Sequence, residues 1–172
     1  MKKLIAYLCM MIFVLTSAAQ SQTDESKMNR FVSGLMKKMT LEEKVGQLSQ
    51  CSGGFATGPD NTRISRTEDI SKGLIGSLLN VSGVANTRKY QEAAMKSRLR
   101  IPLIFGLDVI HGFRTGFPLP LAEAASFDLD AIERGSRCAA KEASAAGLHW
   151  TFAPMVDISW DARWGRVMEG AG

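Results

Sequence analysis

The chain has 172 residues, 45% of them hydrophobic and 22% charged, with a formal net charge of +4. This is the composition of a globular domain with a core of its own, and it excludes a collagenous, coiled-coil or disordered chain. Two of the positive charges, Lys2 and Lys3, sit at the extreme N-terminus, and the remaining Lys and Arg residues form no cluster of the kind that marks a nucleic-acid partner.

Lys2 and Lys3 precede an apolar run over residues 4–15, and Ser17-Ala18-Ala19 supplies small residues for a signal-peptidase site. The run of about a dozen residues is too short to cross a bilayer, which takes ~20. Residues 1–19 are therefore expected to be a signal peptide and residues 20–172 the exported part, periplasmic or secreted. Cys9 lies inside the apolar run without a lipobox and is not read as a lipidation site. No later stretch is long enough to span a membrane. Two cysteines remain, Cys51 and Cys138, and free, buried thiols are the expected state. His111 and His149 are the only histidines, and no spacing resembles a metal site.

Met28, Phe31, Val32, Leu35, Met36 and Met39 recur at helical spacing and predict an amphipathic helix. Thr40 and Glu43 form a capping box that opens a second helix burying Leu41, Val45 and Leu48. A polar, glycine-bearing loop is expected over residues 52–71. Short apolar runs follow at residues 74–79, 101–107 and 150–156, each suited to a strand buried on both faces of a parallel sheet. Between the first two, a helix is expected from an Asn86 cap through Tyr90, Ala93 and Ala94 to Leu99. Between the second and third, an alanine-rich helix runs over residues 129–146 and stops at Gly147. The β-α-β-α-β order implies an α/β fold with parallel strands and right-handed crossovers. A doubly wound sheet and a (β/α)₈ barrel both fit. No Gly-x-Gly-x-x-Gly turn follows any strand, so nucleotide binding has no support.

In either fold, function sits at the C-terminal ends of strands, and there the sequence becomes unusual. The second strand ends in Asp108, and a connection of about 20 residues (109–128) follows, against the usual two to six. It carries His111, Phe113, Arg114 and Phe117. The third strand leads into Asp157-Ile-Ser-Trp160-Asp161-Ala-Arg163-Trp164-Gly-Arg166. An indole can lie on the C–H face of a sugar, while carboxylate and guanidinium groups fix the directions of its hydroxyls. Each residue also has a plainer role. Asp108 could cap the segment after it, Asp157 could be a buried carboxylate holding loop amides, and Asp161 could pair with Arg163. Glu169 could pair with Arg166, His111 could be structural, and both tryptophans could simply be packed.

Together these segments carry a resemblance. IPLIFGLDVIHGFRTGFPLPL (101–121), FAPMVDI (152–158) and RWGRVMEGAG (163–172), with the earlier MTLEEKVGQL (39–48), resemble glycoside hydrolase family 3, in particular its periplasmic β-glucosidases from Gram-negative bacteria. The resemblance implies the N-terminal part of a (β/α)₈ TIM-type barrel, incomplete in this chain. It implies a substrate-binding role for Asp108 as acceptor and Arg166 as donor to sugar hydroxyls, with Arg114 a further contact. His111 matches a family histidine that shapes the loop. Trp160 and Ala162 depart from the family's usual Arg and Pro, and Gly116 from a branched residue. Family members use an Asp nucleophile late in the barrel and a Glu acid/base on a following domain, and none of the motifs that carry them occurs in these 172 residues. No catalytic residue is therefore assigned in this span, Asp108 and Asp157 included.

The function implied is a retaining β-glucosidase acting on β-linked glucosides or oligosaccharides, without metal or organic cofactor, present as a portion that is inactive alone. Another activity of the family (β-xylosidase or N-acetylglucosaminidase), or an inert or sugar-binding truncated product, is the alternative.

Overall fold

The structure, a computed structural model, describes residues 24–53 and 66–171. The expected signal peptide, with Cys9, lies outside the described residues, as does most of the glycine-bearing loop. The chain divides into two compact units, Met1–Lys44 and Val45–Gly172.

In the first unit, helix α1 (residues 24–38) forms where the spacing of apolar residues predicts it. Its apolar face is open, with Met28, Phe31, Val32 and Met36 all exposed. The capping box at the start of α2 (Leu41–Leu48) is present. The Thr40 amide donates to Glu43 Oε2 at 2.9 Å and the Glu43 amide to Thr40 Oγ1 at 3.2 Å, so each satisfies a donor the helix leaves orphaned. Leu41, Val45 and Leu48, expected to be buried, are exposed.

The second unit is built on four parallel strands, β1 (Gln50–Ser52), β2 (Ser77–Leu79), β3 (Ile104–Leu107) and β4 (Trp150–Thr151), in the spatial order β1-β2-β3-β4. Their connections carry α3 (Thr67–Ser71), α4 (Val84–Ala94), α5 (Pro120–Ser126) and α6 (Leu129–Ala145). Each strand lies beside its predecessor and the order never reverses. A doubly wound sheet reverses at its switch point, whereas a barrel adds strands in one direction. The monotonic order thus selects the first part of a TIM-type barrel.

The strands are shorter than the apolar runs that signal them, and neither β1 nor α3 is signalled by its residues. Gln-Cys-Ser is not an apolar run, so β1 is held by pairing rather than pattern: Cys51 lies opposite Leu78. The 109–128 connection is not one long loop, because Pro120 at the first helical turn and the alanines after it close α5. Asn86 does not cap α4. Gly83, at φ +89°, takes that place, and Asn86 Nδ2 donates back to the Ser82 carbonyl from inside the first turn. The helix ends at Ala94, short of Leu99.

Pairing divides the sheet into two faces. Leu78 and Phe105, adjacent in register, are fully buried beneath the helices with Ile70, Ala93, Ala94, Ala143 and Leu148. Burying a side chain of that size contributes roughly 1.5–3 kcal/mol. On the opposite face Ile104 and Trp150 remain 49% and 47% exposed, and the Phe152 ring lies over Gly106 and packs on Trp150 at 4.5 Å between centroids. An exposed apolar inner face beside an outer one buried at its centre is the geometry of an open barrel wall.

Polar clamps fix the helices to the wall. Gln91 of α4 donates to the Leu103 carbonyl at 2.9 Å and accepts from the Leu103 amide at 2.8 Å, while Tyr90 Oη donates to the Gly53 carbonyl. Helix α6 is capped by Asp128, which accepts from the Ala131 amide at 2.9 Å. It stops at Gly147, whose φ of +87° is left-handed and whose missing Cβ leaves room for Thr87. Cys51 and Cys138 are free, and half-buried rather than buried. Among the described residues no helix is long and apolar enough to cross a membrane.

Candidate functional site

Asp108 is the first residue after β3, in step with Ile104 and Gly106 on the open face. It is exposed and caps no helix, since Leu119 and Asp128 precede α5 and α6. The chain leaving β4 runs through Asp157 and the tryptophans to a short 3-10 helix, Val167–Glu169, which packs against α5. A parallel bridge between Met155 and Gly170 ties the two ends of this excursion together. The packing and the bridge return Arg166 to the strand ends.

Arg166 donates through Nε and Nη2 to Glu169 Oε2, at 2.9 and 2.6 Å. This pair raises the guanidinium's pKa, and the carboxylates of Asp108 and Asp157 push it in the same direction. Glu169 is held below the ordinary glutamate range, first by its bond from Arg166 and also by the charges of Arg166 and His111. Asp108, His111, Asp157, Arg166 and Glu169 therefore share one electrostatic neighbourhood at the C-terminal end of the wall, although they come from two different connections. Asp157 is exposed, not the buried carboxylate that its plainer reading supposes.

Arg114 is not shown acting on that group. It sits at the tip of the β3–α5 loop, where Gly112 and Gly116 bridge antiparallel and the Phe117 amide donates to the His111 carbonyl at 2.8 Å. Glu142 of α6 holds this tip. Its Oε2 accepts from the amides of Arg114 (2.8 Å) and Thr115 (2.9 Å), and its Oε1 from the Thr115 hydroxyl (2.6 Å). These bonds, led by the Thr115 hydroxyl, lower the Glu142 pKa. The sequence reading missed Glu142, yet a signal was present: it falls on the stripe of Gly135, Ala139 and Ala143 that α6 buries.

Asp161 and Arg163 form a local two-point ion pair, which occupies both rather than aiming them at a ligand. Trp160 is 93% exposed and Trp164 far less so, so Trp160 is not a packed indole. A cleft of about 460 Å³ lies between α6 and the start of β4, lined by Ala139, Ala143, Leu148 and Trp150 among others. The start of the β3–α5 loop lines it too, including His111, which belongs to the neighbourhood of Arg166, whereas Asp108 and Arg166 themselves do not line it. Among the described residues, no group of three or more His, Cys, Asp or Glu side chains could hold a metal ion.

The model of the glycosyl hydrolase family 3 N-terminal domain matches residues 40–171. The chain belongs to glycosyl hydrolase family 3. It is 48% identical, over 83% of its length, to a periplasmic β-glucosidase of Salmonella typhimurium, of which it covers 18%. It is 30% identical over 82% of its length to a putative β-xylosidase of Formosa agariphila, covering 21% of that protein. Among solved structures, it resembles a β-glucosidase from Listeria innocua in complex with isofagomine, with a TM-score of 0.74 and 42% identity over 83% of this chain and 20% of that one. The chain thus spans about a fifth of the length of these relatives. In this family 3 frame, the monotonic parallel sheet is the beginning of the N-terminal barrel.

Proposed function

We propose that this family 3 chain is the sugar-recognising first portion of a retaining β-glucosidase that acts on terminal β-D-glucosyl residues of glucosides or oligosaccharides. Asp108 accepts from the sugar's hydroxyls and Arg166 donates to them, while Arg114 contributes from the loop rim. A carboxylate offers directed acceptors and a guanidinium a planar fork of donors, a combination suited to a neutral polyol. Residues 1–19 direct export to the periplasm or beyond, and the domain proper runs through residues 20–172. Retaining hydrolysis needs two carboxyl groups ~5 Å apart across the glycosidic bond, one as nucleophile and one as acid/base. Neither is assigned to this chain, and its own contribution is binding and orientation, without metal or organic cofactor.

The observation that carries this reading is that Asp108 follows β3 directly while the Met155–Gly170 bridge and the packing on α5 bring the Arg166 segment back beside it, in a chain 48% identical to a protein named for cleaving β-glucosides. The xylosidase relative keeps a second family activity in view. The test is turnover of 4-nitrophenyl β-glucoside, β-xyloside and N-acetyl-β-glucosaminide by the product of the complete gene. Preference for the glucoside supports the proposal. Preference for either other sugar replaces it with that activity, and cleavage of none of the three removes it.

A further inference from the structure

We infer that Glu142 is a positioning residue for the sugar site, latching the tip of the β3–α5 loop onto α6. The loop leaves β3 at Asp108 and carries His111 and Arg114 before reaching Pro120. Phe113 is half-buried and packs against the core, but Arg114, Thr115 and Gly116 at the tip are all exposed, and burial does not hold them. An exposed loop of this kind samples many conformations unless its backbone groups are bonded. Here two consecutive amides and one hydroxyl converge on a single carboxylate 27 or 28 residues away in the chain. Charge-assisted bonds of this type are stronger than neutral ones.

Three features make the arrangement a latch rather than a chance surface contact. Gly112 has φ +104°, and a Cβ there would collide with the Thr115 carbonyl oxygen, so the turn is tight enough to aim both amides together. Phe117 lies against Gly135 of α6, giving the loop a second anchor on the same helix. The Phe117–His111 backbone bond then carries the fixed tip back to the base of the loop, three residues from Asp108 at the end of β3. Apart from a long bond from the Cys138 thiol one turn earlier on α6, the bonds that Glu142 accepts come from the loop and none from the Arg166 cluster. It acts through the loop, setting where Arg114 and His111 stand relative to Asp108 at the loop's base.

This inference rests on the sugar-binding reading above, and the experiment separates the two. In the complete gene product, Glu142→Ala is expected to raise KM for 4-nitrophenyl β-glucoside about tenfold while kcat stays within about twofold, because binding is loosened and the chemistry is untouched. Glu142→Gln keeps an acceptor for both amides and is expected to restore KM to within about twofold. The double variant Glu142→Ala/Arg114→Ala is expected to be no worse than the more damaging single one, since linked residues are not additive. Hydrogen exchange of the segment around Arg114 and Thr115 should accelerate in Glu142→Ala and not in Glu142→Gln. Unchanged exchange in Glu142→Ala overturns the latch itself, whatever the enzyme does. Faster exchange with an unchanged KM, or effects of Glu142→Ala and Arg114→Ala that multiply, overturns the link to sugar binding. If the unsubstituted protein cleaves no glycoside, the functional reading fails, and the exchange comparison still decides the latch.

Discussion

The Arg166 guanidinium grips a single carboxylate oxygen of Glu169 with two of its nitrogens, three residues apart along the chain. An arginine held this way cannot swing freely, and its remaining N–H groups point where the local backbone directs them. Glu169 is the less exposed partner, so the pair restrains the Arg166 guanidinium, on which the charges of Asp108 and Asp157 also act. Replacing Glu169 with alanine in the complete gene product should raise KM for an aryl β-glucoside several-fold, through loss of this orientation, while Glu169→Gln should have a smaller effect. Equal KM values for the Glu169→Ala variant and the native protein contradict this restraint.

The pH dependence of this pair has a definite sign. Arg166 has its pKa raised and stays charged, while Glu169 has its pKa lowered from 4.5. A carboxylate lowered in the folded state contributes stability that is fully present above its unfolded pKa and is lost as pH falls through the folded value. The Tm difference between the native protein and Glu169→Gln, small for so exposed a pair, should persist from about pH 7 to about pH 5 and close below the ordinary glutamate range. Closure already above about pH 6 would point to a different group. The same sign holds for Glu142, lowered chiefly by its bond from the Thr115 hydroxyl.

Gly112→Ala tests the turn that aims the loop amides. A side chain at φ +104° is strained, and its Cβ meets the Thr115 oxygen, so the loop must rebuild. Such strain costs about 1–3 kcal/mol, and a lower Tm with faster exchange at Thr115 is the expected result. Gly116→Ala serves as the control, because a Cβ there meets nothing within 4 Å.

Phe105→Ala probes the covered face of the wall. The ring is fully buried between Leu78, Leu103 and the helices, and truncation should cost about 3–5 kcal/mol. Ile104→Ala, one residue away on the open face, should cost much less in the 172-residue chain. That chain on its own is expected to bind a hydrophobic dye and to associate, since Ile104, Trp150 and Phe152 face solvent together. A monodisperse, dye-silent preparation contradicts the open-wall description.

How much of this was legible in the sequence depended on which signal each element carries. Helix α6 announces itself by the alanine stripe, the Asp128 cap and Gly147, and β3 by its apolar run. Strand β1 carries none, because Gln50 and Ser52 point to the open face and only Cys51 meets the core. Gly83 displaced Asn86 as the start of α4 since a positive φ there was not visible in the residue pattern. In the candidate site, the position of Asp108 after a strand and the Arg166–Glu169 pairing could be named from residue types, whereas the sugar-binding roles of Asp108 and Arg166 came with the family resemblance. The buried stripe of α6 could have singled out Glu142, but not its partners, because two of the three are backbone amides of another connection, which leave no trace in a side-chain pattern.

The most direct test of the central claim is the kinetics of Asp108→Asn, Arg166→Ala and the double variant, each in the complete gene product with 4-nitrophenyl β-glucoside. If these two side chains hold the sugar's hydroxyls, each single change lowers kcat/KM by about tenfold or more, as loss of a charge-assisted hydrogen bond does, and the double change falls short of the product of the two. Should both single variants turn over the glucoside within about twofold of the native protein, the assignment of sugar recognition to this end of the wall is contradicted.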